Sequence, residues 1–335
     1  MPIIISVLPK WRFDASNVEL PPKWNFQFVT PATDAELITA CQGADCLLVP
    51  ATFPAINAFI LSKIGHIKLI QTVGAGFDLI DIQAAASAGI PVANVPGANA
   101  NAVAEYTVGL MIALQRQLLV ADRETKAGRY VAVRQSLFAT GLTDISGSMI
   151  GLVGLGAIGQ RVAQILRFLG ASVSYYDRAG KSLKLETELG IQYKPLNELL
   201  ADSDVVSLHV PLTNETSGLI GRNELLLMRP GSLLVNTARG EVVNQAALAE
   251  MLESGHIAGA AVDVISPEPP TADHPLLNLL PPARDRLLIT PHIAGVTVGA
   301  FRDILHGALE NIDRVLRQQL PKNVVNGVQH QKVVN

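Results

Sequence analysis

The sequence is poor in cysteine, in aromatic residues and in any excess of one charge, and it has no long unbroken apolar run. Its two cysteines, Cys41 and Cys46, are too few for a disulfide framework or a metal set. Both read as small packed apolar side chains suited to a reducing cytosol, and no metal is expected. With 26 Lys and Arg against 29 Asp and Glu, the formal net charge is −3 and no basic cluster offers a footprint for nucleic acid. Hydrophobic residues make up 49% and mean hydropathy is +0.31. No stretch, however, approaches the roughly 20 apolar residues that a membrane crossing needs. The amino terminus, MPIIISVLP, lacks a basic flank and reaches Pro9 after a brief apolar run, so it predicts a first strand rather than an export signal. What is left is a soluble, cytoplasmic chain whose partner is a small molecule.

At 335 residues the length predicts two domains. Strand and helix patterns alternate throughout, which assigns the α/β class with parallel sheets covered by helices. In the first part PIIISVL (2–8), CLLVP (46–50), IKLIQTV (67–73) and IPVANV (90–95) read as buried strands of a small open sheet. TDAELITACQG between them reads as a helix, with Thr33 and Asp34 as capping candidates and Gly43 as its stop. Residues 99–128 carry helical spacing up to Gly128 and predict one long helix able to link two domains. A second strand series follows: MIGLVG, SVSYYD, IQY, VVSLHV, SLLVN, GAAVDV and RLLIT. The last helical pattern, 298–320, puts Phe301, Ile304, Leu305, Ala308, Ile312, Val315 and Leu316 on one face before Pro321. The pattern does not say which domain receives that face.

GLVGLGAIGQRVAQIL runs from a strand through Gly154, Gly156 and Gly159 directly into a helix. Glycines at this spacing allow a tight turn, close approach of a pyrophosphate and close helix-to-strand packing, while the helix start offers free N–H groups to the anion. SVSYYD then places Asp177 at the end of the next strand, roughly 20 residues past the last glycine. A carboxylate there accepts hydrogen bonds from both ribose hydroxyls and repels a 2′-phosphate. NAD is therefore favoured over NADP, although Arg178 directly after the acid leaves room for some NADP.

In an open parallel sheet, ligands bind beyond the carboxyl ends of the strands. VVSLHV is followed by Pro211 and LTNET, SLLVN by TARGE with Arg239, GAAVDV by ISPEP with Glu268, and RLLIT by His292. An arginine, a carboxylate and an imidazole thus emerge on the edge that carries the glycine loop. Together they make an acid/base pair with an anion anchor.

VGAGFDLID, VAEYTVGLMIAL, GLVGLGAIG, LHVPLTNET, LVNTARGEVV, AVDVISPEP and TPHIAG, spread from about Ile67 to Asn326, resemble the NAD-dependent D-isomer-specific 2-hydroxyacid dehydrogenases. That group includes phosphoglycerate, glyoxylate/hydroxypyruvate, D-lactate and phosphite dehydrogenases. The resemblance implies two doubly wound parallel-sheet domains: a Rossmann NAD-binding domain, 99–296, inserted in a flavodoxin-like substrate domain of 1–98 plus 297–335. It implies a homodimer formed through the cofactor domain. It also implies that Arg239 grips the substrate carboxylate and reacting oxygen, that His292 carries the proton, and that Glu268 hydrogen-bonds that histidine. The backbone of Val73, Gly74, Ala75 and Gly76 cradles the carboxylate, and Asp263 and the Ala238 carbonyl hold the nicotinamide carboxamide. The cofactor is lined by Gly154, Gly156, Ala157, Ile158, Gly159, Asp177 and Arg178, and further along by His209, Val210, Pro211, Thr216, Thr237 and His292.

Departures from the family pattern sharpen the reading. Ala75 stands where phosphite dehydrogenases carry a lysine, which argues against phosphite. Asn244 replaces the usual Asp, an exchange of one helix cap for another, and Leu79 replaces a common Asn. Formate dehydrogenases pair their histidine with an amide, and Glu268 argues against them. A dinucleotide-sensing corepressor of the same fold is the alternative from another class; the compact ending, without a disordered tail or docking segment, speaks against it, and the added regulatory domain of some phosphoglycerate dehydrogenases, with its allosteric control, is not expected. The side chain of the oxo acid is left open, with Thr52, Phe53, Arg134 and Phe138 as candidate pocket residues.

Overall fold

The computed structural model describes residues 1–50 and 54–328 of the chain. They fall into two compact units, Met1–Asn99 with Val296–Asn335, and Ala100–Gly295.

Among the described residues the first unit contains β1 (Ile3–Ser6), β2 (Asn25–Phe28), β3 (Cys46–Pro50), β4 (Leu69–Val73) and β5 (Val92–Ala93). All pair in parallel in the order β2-β1-β3-β4-β5, the flavodoxin-like arrangement. The sequence patterns predict four of these strands and miss β2. Its NFQF is short and half-exposed at the sheet edge. What holds it is distant in sequence: Phe26 and Phe28 each pack edge-on against Phe13, with ring centroids 6.0 Å apart. The helix Asp34–Ala40 starts as predicted, with Thr33 Oγ1 accepting from the Glu36 N–H.

The last helix, Val298–Leu316, belongs to this first unit. It buries Ile304, Leu305, Ala308, Ile312 and Val315 in a cluster with Ile4, Leu48, Leu69 and Val73. It stops short of residue 320 because Gln318 turns left-handed at φ 60°. Asn311 shares the buried face. Its Nδ2 donates to Gln71 Oε1 at 2.9 Å and to the Lys322 carbonyl at 3.2 Å, and its Oδ1 accepts from the Lys322 N–H at 2.8 Å. One buried amide thus ties the helix to β4 and to the chain that follows.

The second unit contains β6 (Met149–Val153), β7 (Ser172–Tyr176), β8 (Gln192–Tyr193), β9 (Val205–Leu208), β10 (Leu233–Asn236), β11 (Gly259–Val262) and β12 (Leu287–Ile289). Their order is β12-β11-β10-β9-β6-β7-β8, again all parallel. The direction of winding reverses between β6 and β9, which is where a doubly wound sheet opens a crevice for a ligand. Each of these strands lies where the sequence pattern puts it.

The predicted long helix 99–128 is corrected: it is two helices, Ala100–Gln115 and Leu118–Lys126, broken at Gln117 with φ 46°. Packing explains the break. The first helix buries Val103, Ala104, Thr107, Val108, Leu110 and Met111, whereas the second buries none of its residues, so helical spacing persists after the supporting core has ended. Among the described residues no helix is long and apolar enough to cross a membrane.

Removing the Asn311 amide leaves Gln71 Oε1 and the Lys322 N–H without this partner. Asn311→Ala should therefore destabilise the protein by about 1–3 kcal/mol, read as a lowered urea midpoint; an unchanged midpoint would show that the amide network is dispensable.

Candidate active site

The glycine turn after β6 is built for close backbone approach. Gly154 has φ 101°, and a Cβ there would meet the His209 carbonyl oxygen at 2.6 Å. A Cβ on Gly159 would meet the Gly154 carbonyl oxygen at 2.3 Å. Gly156 differs: a Cβ there would have nothing within 4 Å, so the space above the turn is open. Gly156 is the N-cap of the helix Ala157–Phe168 and offers no side chain to its free N–H groups. An anion can take those donors. A pyrophosphate fits this cradle, and the residues around it fit the rest of a dinucleotide.

Asp177 follows β7, and its Oδ2 accepts from the Leu155 N–H at 3.0 Å. Burial pushes its pKa up, but the bonds from Leu155 and Lys181 outweigh that and hold the carboxyl below its ordinary value. It is ionised at neutral pH. His209 and Val210 crowd Gly154 from the end of β9. Burial lowers the His209 pKa to about 4, so its imidazole is neutral and shares a hydrogen bond of 3.0 Å with Ser207 Oγ. Past Pro211 the loop is closed by Thr216, whose Oγ1 donates to the Pro211 carbonyl at 2.6 Å and accepts from the Thr213 N–H at 2.8 Å.

Neighbouring strands β10, β11 and β12 carry Arg239, Glu268 and His292 beyond their carboxyl ends. The His292 Nδ1 lies 3.0 and 2.9 Å from the two Glu268 carboxylate oxygens. An ionised carboxylate only accepts, so Nδ1 carries a proton and Nε2 is the ring atom left for exchange. His292 has φ 54°, a left-handed conformation costing about 1–2 kcal/mol outside glycine. The neighbouring Asp263 holds the turn that imposes it. This carboxylate is 1% exposed and accepts from Thr290 Oγ1 at 2.6 Å, the Ile293 N–H at 3.0 Å and the Ala294 N–H at 2.8 Å. Its backbone carbonyl accepts from the His292 N–H at 2.7 Å.

The Arg239 turn is fixed in a similar way. Asn236, buried at the end of β10, accepts from the Ala238 N–H at 3.0 Å and donates to the Arg239 carbonyl at 2.8 Å. Arg239 Nη1 donates to the Ala238 carbonyl at 2.7 Å, and Thr237 Oγ1 shares a bond of 2.9 Å with Thr107 Oγ1. A Cβ on Gly240 would meet the Ile265 carbonyl carbon at 2.5 Å, so the Arg239 turn presses on the loop that leads to Glu268. Gln245 and Ser266 exchange two further hydrogen bonds across the same gap.

In the first unit the Val73–Gly76 turn follows β4. Gly74 has φ 117°. The Val95 N–H donates to the Gly74 carbonyl at 2.8 Å, and Asn94 Nδ2 donates to the Ala75 carbonyl at 2.8 Å. Of the candidate pocket residues, Thr52 and Phe53 lie outside the described residues. Arg134 stacks over Phe138, with its guanidinium carbon 4.6 Å from the ring centroid. Among the described residues no group of His, Cys, Asp and Glu is arranged to hold a metal ion.

Sequence reasoning passed over Asn94, Asn236, Thr290 and Lys181. Asn236 closes a strand, where a short amide can bond the backbone two or three residues on, and that signal was available; Asn94 reaches back 19 residues to Ala75, which no local pattern shows. Lys181 comes to the Asp177 carboxylate through the fold of an intervening loop. Spacing alone does not reveal it.

The model of the D-isomer specific 2-hydroxyacid dehydrogenase NAD binding domain matches residues 108–294. A glyoxylate reductase of Thermofilum pendens is 38% identical over 88% of this chain and 85% of its own length. A D-3-phosphoglycerate dehydrogenase of Archaeoglobus fulgidus is 36% identical over 81% of this chain and 49% of its own length. Among solved structures, the holo D-mandelate dehydrogenase of Rhodotorula graminis superposes with a TM-score of 0.85 at 26% identity, covering 98% of this chain and 99% of that one. The chain belongs to the D-isomer specific 2-hydroxyacid dehydrogenase family, and its second unit is a Rossmann domain for a nicotinamide cofactor.

The lowered His209 pKa has a definite consequence for stability. Below the ordinary value of 6.5 the unfolded chain takes up a proton that the folded chain refuses until about pH 4, so stability falls across that window as pH drops. The unfolding free energy of His209→Asn should show a shallower slope over the same window; identical slopes would mean that His209 is not the group responsible.

Proposed function

We propose that the protein is a cytoplasmic, homodimeric reductase of a small 2-oxo acid that uses NADH in preference to NADPH, with glyoxylate the first acid to assay. The observation that carries this reading is the His292–Glu268 pair, 2.9 Å apart, on the strand edge that also bears Arg239 and the glycine turn. Arg239 holds the substrate carboxylate and faces the carbonyl oxygen. A nicotinamide dinucleotide held at its pyrophosphate and ribose by the Gly154–Asp177 cradle would supply hydride to the carbonyl carbon or accept it back. Charge that develops on the oxygen is stabilised by the guanidinium, and His292 Nε2 delivers the proton.

Glu268 fixes the tautomer and the ring orientation. Asp263 fixes the turn that carries His292, and with the Ala238 carbonyl it is assigned to the carboxamide by the family resemblance. The Val73–Gly76 turn, held by Asn94, is a rigid backbone cradle of the kind a carboxylate needs. NADH is favoured because Asp177 is ionised where a 2′-phosphate would sit. Exposed Leu118, Leu119, Tyr130 and Val131 on the helices after Gln115 support a second copy as partner. The two buried free thiols, Cys41 and Cys46, suit a reducing compartment.

NADH oxidation across a panel of 2-oxo acids tests the reading. His292→Ala should lower turnover by about 10²- to 10⁴-fold, the usual worth of a positioned acid/base, while NADH still quenches protein fluorescence. Full turnover in that variant would remove His292 from the mechanism. Silence of the wild type across the panel, with NADH bound, would favour the sensor class instead.

A further inference from the structure

The ribose acid is not alone at the end of β7. Lys181 Nζ lies 3.0 Å from Asp177 Oδ2, the oxygen that also accepts from Leu155. This lysine is placed from below. Its backbone N–H donates at 2.8 Å to the hydroxyl of Tyr175, which in turn donates at 2.7 Å to Glu186 Oε1. Tyr175 is fully buried, so a core side chain anchors the loop that returns Lys181 to the acid. The Lys181 side chain remains 31% exposed, free to turn its ammonium on a flexible stem. Arg178, next to the acid, also helps to hold the Asp177 carboxyl down, through its backbone N–H.

A bare carboxylate at this position repels a 2′-phosphate, whereas a cation beside it accommodates one. We propose that Lys181 is the specificity-determining residue that opens the ribose site to a 2′-phosphorylated dinucleotide as well as to the unphosphorylated one. With NADH, Lys181 stays on Asp177 and the carboxylate receives the ribose hydroxyls. With NADPH, the ammonium transfers to the phosphate, leaving Asp177 on the Leu155 N–H. Selectivity for NADH is therefore graded, set by competition between one fixed carboxylate and one mobile cation. The inference rests on the assignment of the Gly154–Asp177 cradle to a nicotinamide dinucleotide.

Fluorescence titration of the purified full chain with NADH and NADPH separates the two claims. In Lys181→Ala, and in Lys181→Gln with its stem largely kept, the ratio of the NADPH Kd to the NADH Kd should rise at least about tenfold, the worth of one charged contact. The wild type should also lose NADPH affinity with added salt more steeply than either variant. An unchanged ratio in both variants, with NADH binding intact, overturns the role of Lys181 and leaves the cradle standing. Failure of the wild type to bind either nucleotide overturns the cradle assignment and this proposal with it.

Discussion

A carboxylate buried at the carboxyl end of β11 organises the chemistry of the second unit. Asp263 is all but inaccessible to water, and a polar group in that position costs free energy unless its lone pairs are met by donors. Thr290 Oγ1 and two consecutive backbone N–H groups, those of Ile293 and Ala294, meet them. To bring those two N–H groups to one carboxylate the chain must turn sharply after β12. The residue at the turn is His292, held in a left-handed conformation that histidine does not choose by itself. The position of the imidazole is thus a consequence of satisfying a buried polar group. Glu268 then needs only to set the ring's rotation and tautomer.

The same economy appears at the glycine turns. Gly154 and Gly240 both stand where a Cβ would strike backbone of a neighbouring loop, the first at His209 and the second at Ile265 and Ser266. In each case two loops leaving adjacent strands press backbone to backbone, with no side chain between them. Such contacts cannot be relaxed by a rotamer change. They fix the loop after β9 against the glycine turn, and the Arg239 turn against the path to Glu268. Strand pairing sets the sheet, and these approaches set the relative positions of the loops that leave it.

Much of this was legible in the sequence because parallel sheets write it locally. A buried strand reads as a short apolar run, and its carboxyl end is marked by the polar residue that follows. That is why Asp177, Arg239, Glu268 and His292 could be placed on one edge from pattern alone. β2 escaped because its support comes from Phe13 across the core. The break at Gln117 escaped because helical spacing continues where packing ends. Lys181 escaped because its approach to Asp177 depends on a phenol two residues before the acid, Tyr175, whose hydroxyl catches the loop on its return. The failures share a cause: each depends on packing or a hydrogen bond that the local pattern does not encode.

Strand polarity and concavity point to opposite ends of the second unit's sheet. A cavity of about 570 Å³ opens in the second unit among Leu233, Gly259 and Leu287, which are the first residues of β10, β11 and β12. It therefore lies at the amino ends of the strands whose carboxyl ends carry Arg239, Glu268 and His292. Carbonyl-bearing strand ends and helix starts converge on the second edge, and there the peptide groups supply both the anion-binding N–H groups of the glycine turn and the acceptors that fix the histidine. At the amino edge the same strands present Asp285 and Arg286, but no dinucleotide turn and no imidazole–carboxylate pair. Space alone points to the amino edge; the direction of the strands points to the carboxyl edge, where the glycine turn and the His292–Glu268 pair lie.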